Sequence, residues 1–222
     1  MSDEEISQLA YEGRYEIFKR KLAENKDLAT KTDRGGRVPL HWAASGGHSE
    51  EVEYLLRMGV PVDPRDDSNW TPLMIATSTG AEPIVNMLIG QGAQVNAINS
   101  TGQCPLHYAA SKNRYQITET LLVNGADPNV GDWVNNTPLH RAACKGNTKI
   151  VRLLLQYNAN PNFQDQEGNT PVHVACEEEM VEEAKILIEH GGSTSILNKA
   201  EKSPMDLAPV AQRRTYERIA TS

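Results

Sequence analysis

The stretch NTPLHRAACKGN, Asn136–Asn147, decides the fold. It puts a histidine, an arginine and a cysteine close together (His140, Arg141 and Cys144), a composition that reactive sites share with scaffolds. The two readings separate on whether the stretch occurs once. VPLHWA begins at Val38, TPLMIA at Thr71, CPLHYA at Cys104, TPLHRA at Thr137, TPVHVA at Thr170 and SPMDLA at Ser203, each 33 residues after the one before. The closing alanine keeps the beat at Ala43, Ala76, Ala109, Ala142, Ala175 and Ala208, and counting back from Ala43 reaches Ala10. Leu55, Leu88, Leu121, Leu154 and Leu187 recur, each followed by Leu or Ile, and Gly59, Gly92, Gly125, Asn158 and Gly191 come four residues later. An Asp or Asn occupies 33, 66, 99, 132, 165 and 198. Self-similarity at one fixed period is the mark of a repeat architecture. The period divides the chain into seven units, the first and last atypical.

Each unit reads as two short helices and a connection. Thr137 is a helix N-cap whose hydroxyl accepts from a free backbone N–H. Pro138 stands at the first helical position, where its missing donor costs nothing. Leu139 and Ala142 share a face, and Ala142 and Ala143 are small enough for a neighbouring helix to approach closely. Gly146 ends this helix. Ile150, Val151, Leu154 and Leu155 then form one apolar stripe of a second helix, which Asn158 stops because Asn tolerates the left-handed conformation. PNFQDQEGN, from Pro161 to Asn169, is a turn-rich connection. No unit can bury its stripe alone, so stability is expected to come from nearest-neighbour stacking. On that reading Leu122→Ala or Leu155→Ala costs about 2–5 kcal/mol. The ends are expected to cap the stack. At the start Ser2 and Glu5 have capping-box spacing. The last unit carries Arg213, Arg214 and Arg218, and Pro209 ends its first helix early.

The 33-residue period with T-P-L-H-x-A resembles the ankyrin repeat over essentially the whole chain. The resemblance implies an all-α fold: an ankyrin-repeat solenoid of seven 33-residue helix-turn-helix repeats with β-hairpin loops, capped at both ends. It is expected to be a single domain over 1–222, with approximate repeats at 4–36, 37–69, 70–102, 103–135, 136–168, 169–201 and 202–222.

The bulk properties narrow the function. Lys and Arg number 22 against 29 Asp and Glu, a net charge of −7, which argues against nucleic acid because that partner needs a dense basic face. No apolar run of about twenty residues occurs, and the acidic start MSDEEISQLA is no export signal. No membrane partner is expected. Three cysteines, Cys104, Cys144 and Cys176, without a pairing motif fit a reducing compartment. A monomer in the cytoplasm and nucleus is the expectation.

The reactive-looking residues read as scaffold. His41, His107, His140 and His173 recur at one place in the unit, and Met74 and Asp206 replace the histidine in two others. Stacked helices stand about 10 Å apart, whereas zinc needs nitrogens at about 2 Å, so the histidines cannot share an ion. A hydrogen bond tying each unit to its neighbour's loop is the simpler role. The cysteines fall at three different places in the unit, and no His-Cys-acid arrangement emerges. No metal, no cofactor and no catalytic residue is expected, and the chain is not read as an enzyme.

What remains free to vary are the finger tips and the exposed side of each first helix. There the charges come in bands: Arg34 and Arg37, then Asp66 and Asp67 with Trp70, then Lys112, Arg114, Arg141 and Lys145, then Glu177, Glu178 and Glu179 followed by Glu182 and Glu183. Charges facing water is the bland reading. Bands of alternating sign instead fix register and speed association with a complementary partner. Trp70 and Trp133, the latter beside Val134, are candidate interface anchors, while Trp42 is expected to pack between first helices.

The strings LAYEGR, PLHWAASGGH, GVPVDPRDD, PLHYAASKNR, EGNTPVHVAC and VEEAK are similar to those of the ankyrin-repeat chaperones of the proteasome regulatory particle. That resemblance implies a face that holds the C-terminal domain of one proteasome regulatory-particle ATPase subunit. Arg37, Asp66, Asp67, Lys112 and Glu178 fall where those chaperones place charged contacts, and Gly35 falls where they have an acid. It also implies a retinoblastoma-like protein as partner through L-x-C-x-E, here VACEE from Val174 to Glu178, and a cyclin-dependent kinase. An ankyrin inhibitor or scaffold of such a kinase is the alternative function.

Overall fold

The structure is a computed structural model, and it describes residues 4–221. The expected cap at Ser2 lies outside the described residues. The chain divides into two compact units, one ending at Ser100 and one beginning at Thr101.

The unit ending at Ser100 contains α1 (Glu4–Glu12) and α2 (Tyr15–Glu24), a 3₁₀ turn (Lys26–Thr30), α3 (Pro39–Gly46) with α4 (Ser49–Arg57), and α5 (Pro72–Thr79) with α6 (Glu82–Gly90). Within it α1 packs on α3 and α3 on α5, while α2 packs on α4 and α4 on α6. The period places its leucines accordingly: Leu55 and Leu88 are fully buried, as is Ala10, the residue reached by counting back from Ala43. The terminal helix α2 buries only Phe18 and Leu22, as a cap should.

The unit beginning at Thr101 contains α7 (Pro105–Ser111) with α8 (Tyr115–Val123), α9 (Pro138–Cys144) with α10 (Thr148–Gln156), α11 (Pro171–Glu177) with α12 (Val181–Glu189), and α13 (Pro204–Leu207) with α14 (Val210–Ala220). First helices form one row, α7 on α9, α9 on α11, α11 on α13, and second helices another, α8 on α10, α10 on α12, α12 on α14. The stripe of α10 buries Ile150, Val151, Leu154 and Leu155. Burying Ala142, Ala143 and Ala175 lets the first helices approach closely. The last helix α14 buries Tyr216 alone, and α13 stops at Leu207 because Ala208 is extended before Pro209.

Helix starts follow the cap chemistry. Pro39, Pro72, Pro105, Pro138, Pro171 and Pro204 open their helices. The hydroxyls of Thr71, Thr137, Thr170 and Ser203 accept from the backbone N–H of Met74 (3.3 Å), His140 (3.5 Å), His173 (3.4 Å) and Asp206 (3.3 Å). Val38 and Cys104 stand at the same place without a side-chain cap bond. Helix ends use left-handed residues: Gly47, Gly80 and Gly146, with Asn113 and Glu179 at the corresponding positions.

The connections are hairpin-like fingers, and no strand is present among the described residues. Those at Asp33, Asp66, Asp132, Asp165 and Asn198 are closed by a backbone bond across the base, such as Asp66 N–H to Trp70 O at 3.1 Å and Asp132 N–H to Asn136 O at 3.0 Å. Successive fingers within a unit are joined by one further backbone bond, such as Asp67 N–H to Gly35 O (3.0 Å) in one and Gln166 N–H to Val134 O (3.0 Å) in the other. One such bond per pair makes a stack of turns and no ladder.

Candidate protein-binding faces

The recurrent Asp or Asn explains the fingers. A carboxylate or amide oxygen at this place accepts from the backbone N–H two and four residues on, a turn that Asp and Asn make readily. Asp33 takes Gly35 (2.8 Å) and Arg37 (3.0 Å), Asp66 takes Ser68 (2.9 Å) and Trp70 (2.8 Å), and Asp132 takes Val134 (3.1 Å) and Asn136 (2.9 Å). Asp165 and Asn198 do the same in the last two fingers.

The histidines tie each finger to the helix behind it. In α9, His140 Nδ1 accepts from Thr137 N–H (3.1 Å), which places the proton on Nε2, and Nε2 donates to Asn169 O (3.1 Å). His107 reaches Asn136 O (2.8 Å), His173 reaches Lys202 O (3.1 Å) and His41 reaches Trp70 O (3.0 Å), each with Nδ1 bonded three residues back. Burial in a medium that cannot solvate the cation holds all four below the ordinary 6.5. No group of His, Cys, Asp and Glu fit to hold a metal occurs among the described residues.

In the unit ending at Ser100 the candidate contacts divide. Arg34 and Asp67 are exposed at finger tips. Asp66 departs from the exposed contact expected of it. It is 6% exposed, one oxygen holds its finger, and the other takes Arg37 Nε at 3.0 Å. Arg37 therefore presents only part of its guanidinium, which also lies 5.2 Å from the Trp42 ring centre. Trp70 departs as well: it is half-buried, with its backbone held by Asp66 and His41. Trp42 packs as expected, edge-to-face with Tyr11 at 5.9 Å, and its Nε1–H donates to Asp33 Oδ2 at 2.8 Å. Burial pushes the Asp33 carboxyl up, but the N–H donors of Arg37, Gly35 and Trp42 and the Arg37 charge outweigh it and hold it below its ordinary value.

The unit beginning at Thr101 carries the denser face. Lys112, Lys145 and Glu178 are the residues that follow α7, α9 and α11, one period apart, and all three are exposed. Glu177 is exposed beside Glu178, and Arg114 is half-buried where α8 begins. Arg141 is half-buried and its guanidinium meets Asp132 Oδ2 at 2.5 Å. Burial raises the Asp132 carboxyl, and Arg141 together with the N–H groups of Asn136 and Val134 brings it below its ordinary value. Trp133 is 60% exposed at its finger tip, beside exposed Val134. Its ring and backbone rest on Gly102, where any Cβ would fall 2.8 Å from both.

Cys104 and Cys176 are buried thiols. Burial raises Cys104 to about 11 and Cys176 to about 12, away from the low values of reactive thiolates. Cys104 Sγ lies 3.2 Å from His107 Nδ1, in place of the capping hydroxyl. Cys176 is 1% exposed and lies in α11, with Val174 half-buried one residue from Ala175. Val174 to Glu177 are thus helical, with Cys176 buried while Glu177 and Glu178 face out, which counts against docking of a reader that takes L-x-C-x-E as an extended segment.

Sequence reasoning missed the finger carboxylates as turn-holders and the pairing of Arg37 and Arg141 with them. The signal was the Asp or Asn at every 33rd residue, read there only as a beat.

Comparison with known proteins bears on this architecture. A family model described as ankyrin repeats (3 copies) matches residues 6–99 and 139–214, and one described as ankyrin repeats (many copies) matches 78–122 and 106–155. The human 26S proteasome non-ATPase regulatory subunit 10, also called gankyrin, is 52% identical over 66 residues, which is 30% of this chain and 29% of that protein. The mouse and rat proteins of the same name are 50% identical over the same length and shares. The chain therefore matches less than a third of the length of these curated relatives. The first family model covers well over half of the chain, and together with the finger turns and the histidine bonds that recur at His41, His107, His140 and His173 it places the chain in the ankyrin-repeat family.

Proposed function

We propose that the chain is a non-enzymatic protein-binding scaffold, an assembly chaperone that holds the C-terminal domain of a proteasome regulatory-particle ATPase subunit, in the cytoplasm and nucleus. One observation carries the reading. Lys112, Lys145 and Glu178 stand exposed at one repeated place along the row α7, α9, α11, so that positive charge gives way to negative along a single face. Arg114, Arg141 and Glu177 extend the two bands, and Trp133 offers a large exposed anchor beside them. In the other unit Arg34, Arg37, Asp67 and half-buried Trp70 are the contacts, with Asp66 fixing Arg37. Such a pattern rejects partners with the wrong order of charge. The likeness to the proteasome regulatory subunits, over the 66 residues matched, supports the choice of partner.

Titrating the full chain with the isolated ATPase C-terminal domain tests this. Binding should weaken steeply with salt, and Lys112→Glu or Glu178→Lys should each reduce affinity by about tenfold or more, the cost of placing like charges opposite one another. No binding by the wild-type chain, with inhibition of a cyclin-dependent kinase instead, would favour the alternative.

A further inference from the structure

The unit ending at Ser100 holds a cavity of about 230 Å³ lined by Ser7, Gln8, Tyr11, Asp33 and Trp42. It sits among α1, α3 and the start of the first finger. Pockets for small molecules run about 300–1,000 Å³, so this one has room for a single side chain.

Its lining is short of donors. Ser7 is 6% exposed and closes the floor of the cavity. Gln8 spends an amide N–H on Glu12 Oε1 at 2.6 Å, leaving its oxygen as an acceptor. Asp33 Oδ1 takes two backbone donors, and Oδ2 takes Trp42 Nε1–H. The Tyr11 ring is 47% exposed and stands at 85° to Trp42. Trp42 already receives one guanidinium, that of Arg37. Arg37 is matched by Asp66 at 3.0 Å, so among Asp33, Arg37 and Asp66 one negative charge is in excess.

We propose that this cavity is a slot for one arginine side chain of a partner polypeptide, which stacks on Tyr11 and donates to Asp33 and Gln8. Arginine suits it better than lysine. Its guanidinium is planar, stacks on aromatic rings, and offers several donors and no acceptor. The slot rests on the protein-binding reading above and names the chemistry of one contact.

The test uses the full chain and a blocked Gly-Arg-Gly peptide, observed through the Trp42 indole N–H resonance. The arginine peptide should move that resonance saturably, its neutral citrulline analogue should not, and the lysine peptide should bind several-fold more weakly. Tyr11→Leu should weaken arginine binding by about tenfold, and so should Asp33→Asn, by loss of a charge-assisted bond. Asn198 holds its finger through the same two bonds, 3.0 Å each, so Asp33→Asn keeps the turn, and if it melts, Tyr11→Leu decides. Equal shifts by arginine and citrulline, or unchanged affinity in Tyr11→Leu, overturn the slot. The ATPase domain supplies the second arm. If arginine binds and the domain does not, the slot stands and the choice of partner falls. If the domain binds and arginine does not, the slot falls and the partner stands.

Discussion

His140 is buried with both ring nitrogens engaged, one on the N–H of Thr137 and the other on the carbonyl of Asn169. Replacing it by methionine, the residue at position 74, removes both bonds while keeping the site apolar. Two backbone groups lose their partner, at about 1–3 kcal/mol for each one left buried. Urea unfolding of His140→Met should show a loss of at least about 1 kcal/mol with unchanged slope. A loss within error of zero would mean water satisfies both groups. This role was legible in the sequence, because the histidine recurred at a period that forbids a shared metal. The inward turn of Asp66 was not. An acidic residue at a finger reads as exposed charge, yet in the fold its oxygens are consumed by Ser68, Trp70 and Arg37. Trp70 is half-buried for a related reason: its backbone is fixed from two sides.

At the scale of one element, the end of α11 is unusual. Gly80, Asn113 and Gly146 take the left-handed conformation after α5, α7 and α9, with φ of 85°, 56° and 65°. After α11 the same place is held by Glu179, with φ of 57°. A side chain with a Cβ pays about 1–2 kcal/mol there, and glycine returns part of that gain as backbone entropy. Glu179→Gly should therefore stabilise the chain by about 0.5–1 kcal/mol, seen as a higher urea midpoint. A lower midpoint would show that Glu179 makes a contact worth more than its strain. Helix interiors respond in the opposite sense. Leu154→Ala empties a fully buried position in α10 and should cost about 2–5 kcal/mol, and a neutral result would contradict the stacking of α10 on α8 and α12. Helix starts were legible because threonine and proline mark them. The fingers were legible as hairpins, but no pattern in the sequence shows that a single backbone bond joins one finger to the next.

Over the molecule as a whole, the period set the count of helices and the positions of buried leucines, because each unit repeats one solution to the same packing problem. Which charges reach solvent could not be read in this way, since that depends on ion pairs with the fingers, Arg37 with Asp66 of the next finger and Arg141 with Asp132 of the finger before α9. The same repetition makes one property additive. His41, His107, His140 and His173 are all held below the ordinary 6.5 by burial. Between its folded value and 6.5, each binds a proton more readily in the unfolded chain than in the folded one. The stability they contribute is therefore fully present above about pH 6.5 and is lost as pH falls toward their folded values. Each adds at most about 1.4 kcal/mol per pH unit to the slope. Asp33, Asp132 and Asp206 are held below their ordinary 3.8, so their contribution persists until the pH nears that value, and the interval from about 6 to 5 isolates the histidines. Urea unfolding across that interval should show stability falling with acid, and more gently in His140→Met, which lacks one of the four protons. A flat profile from pH 7.5 to 5 would require the histidines to take up protons within the fold without losing their bonds, which Nδ1 cannot do while it accepts from a backbone N–H.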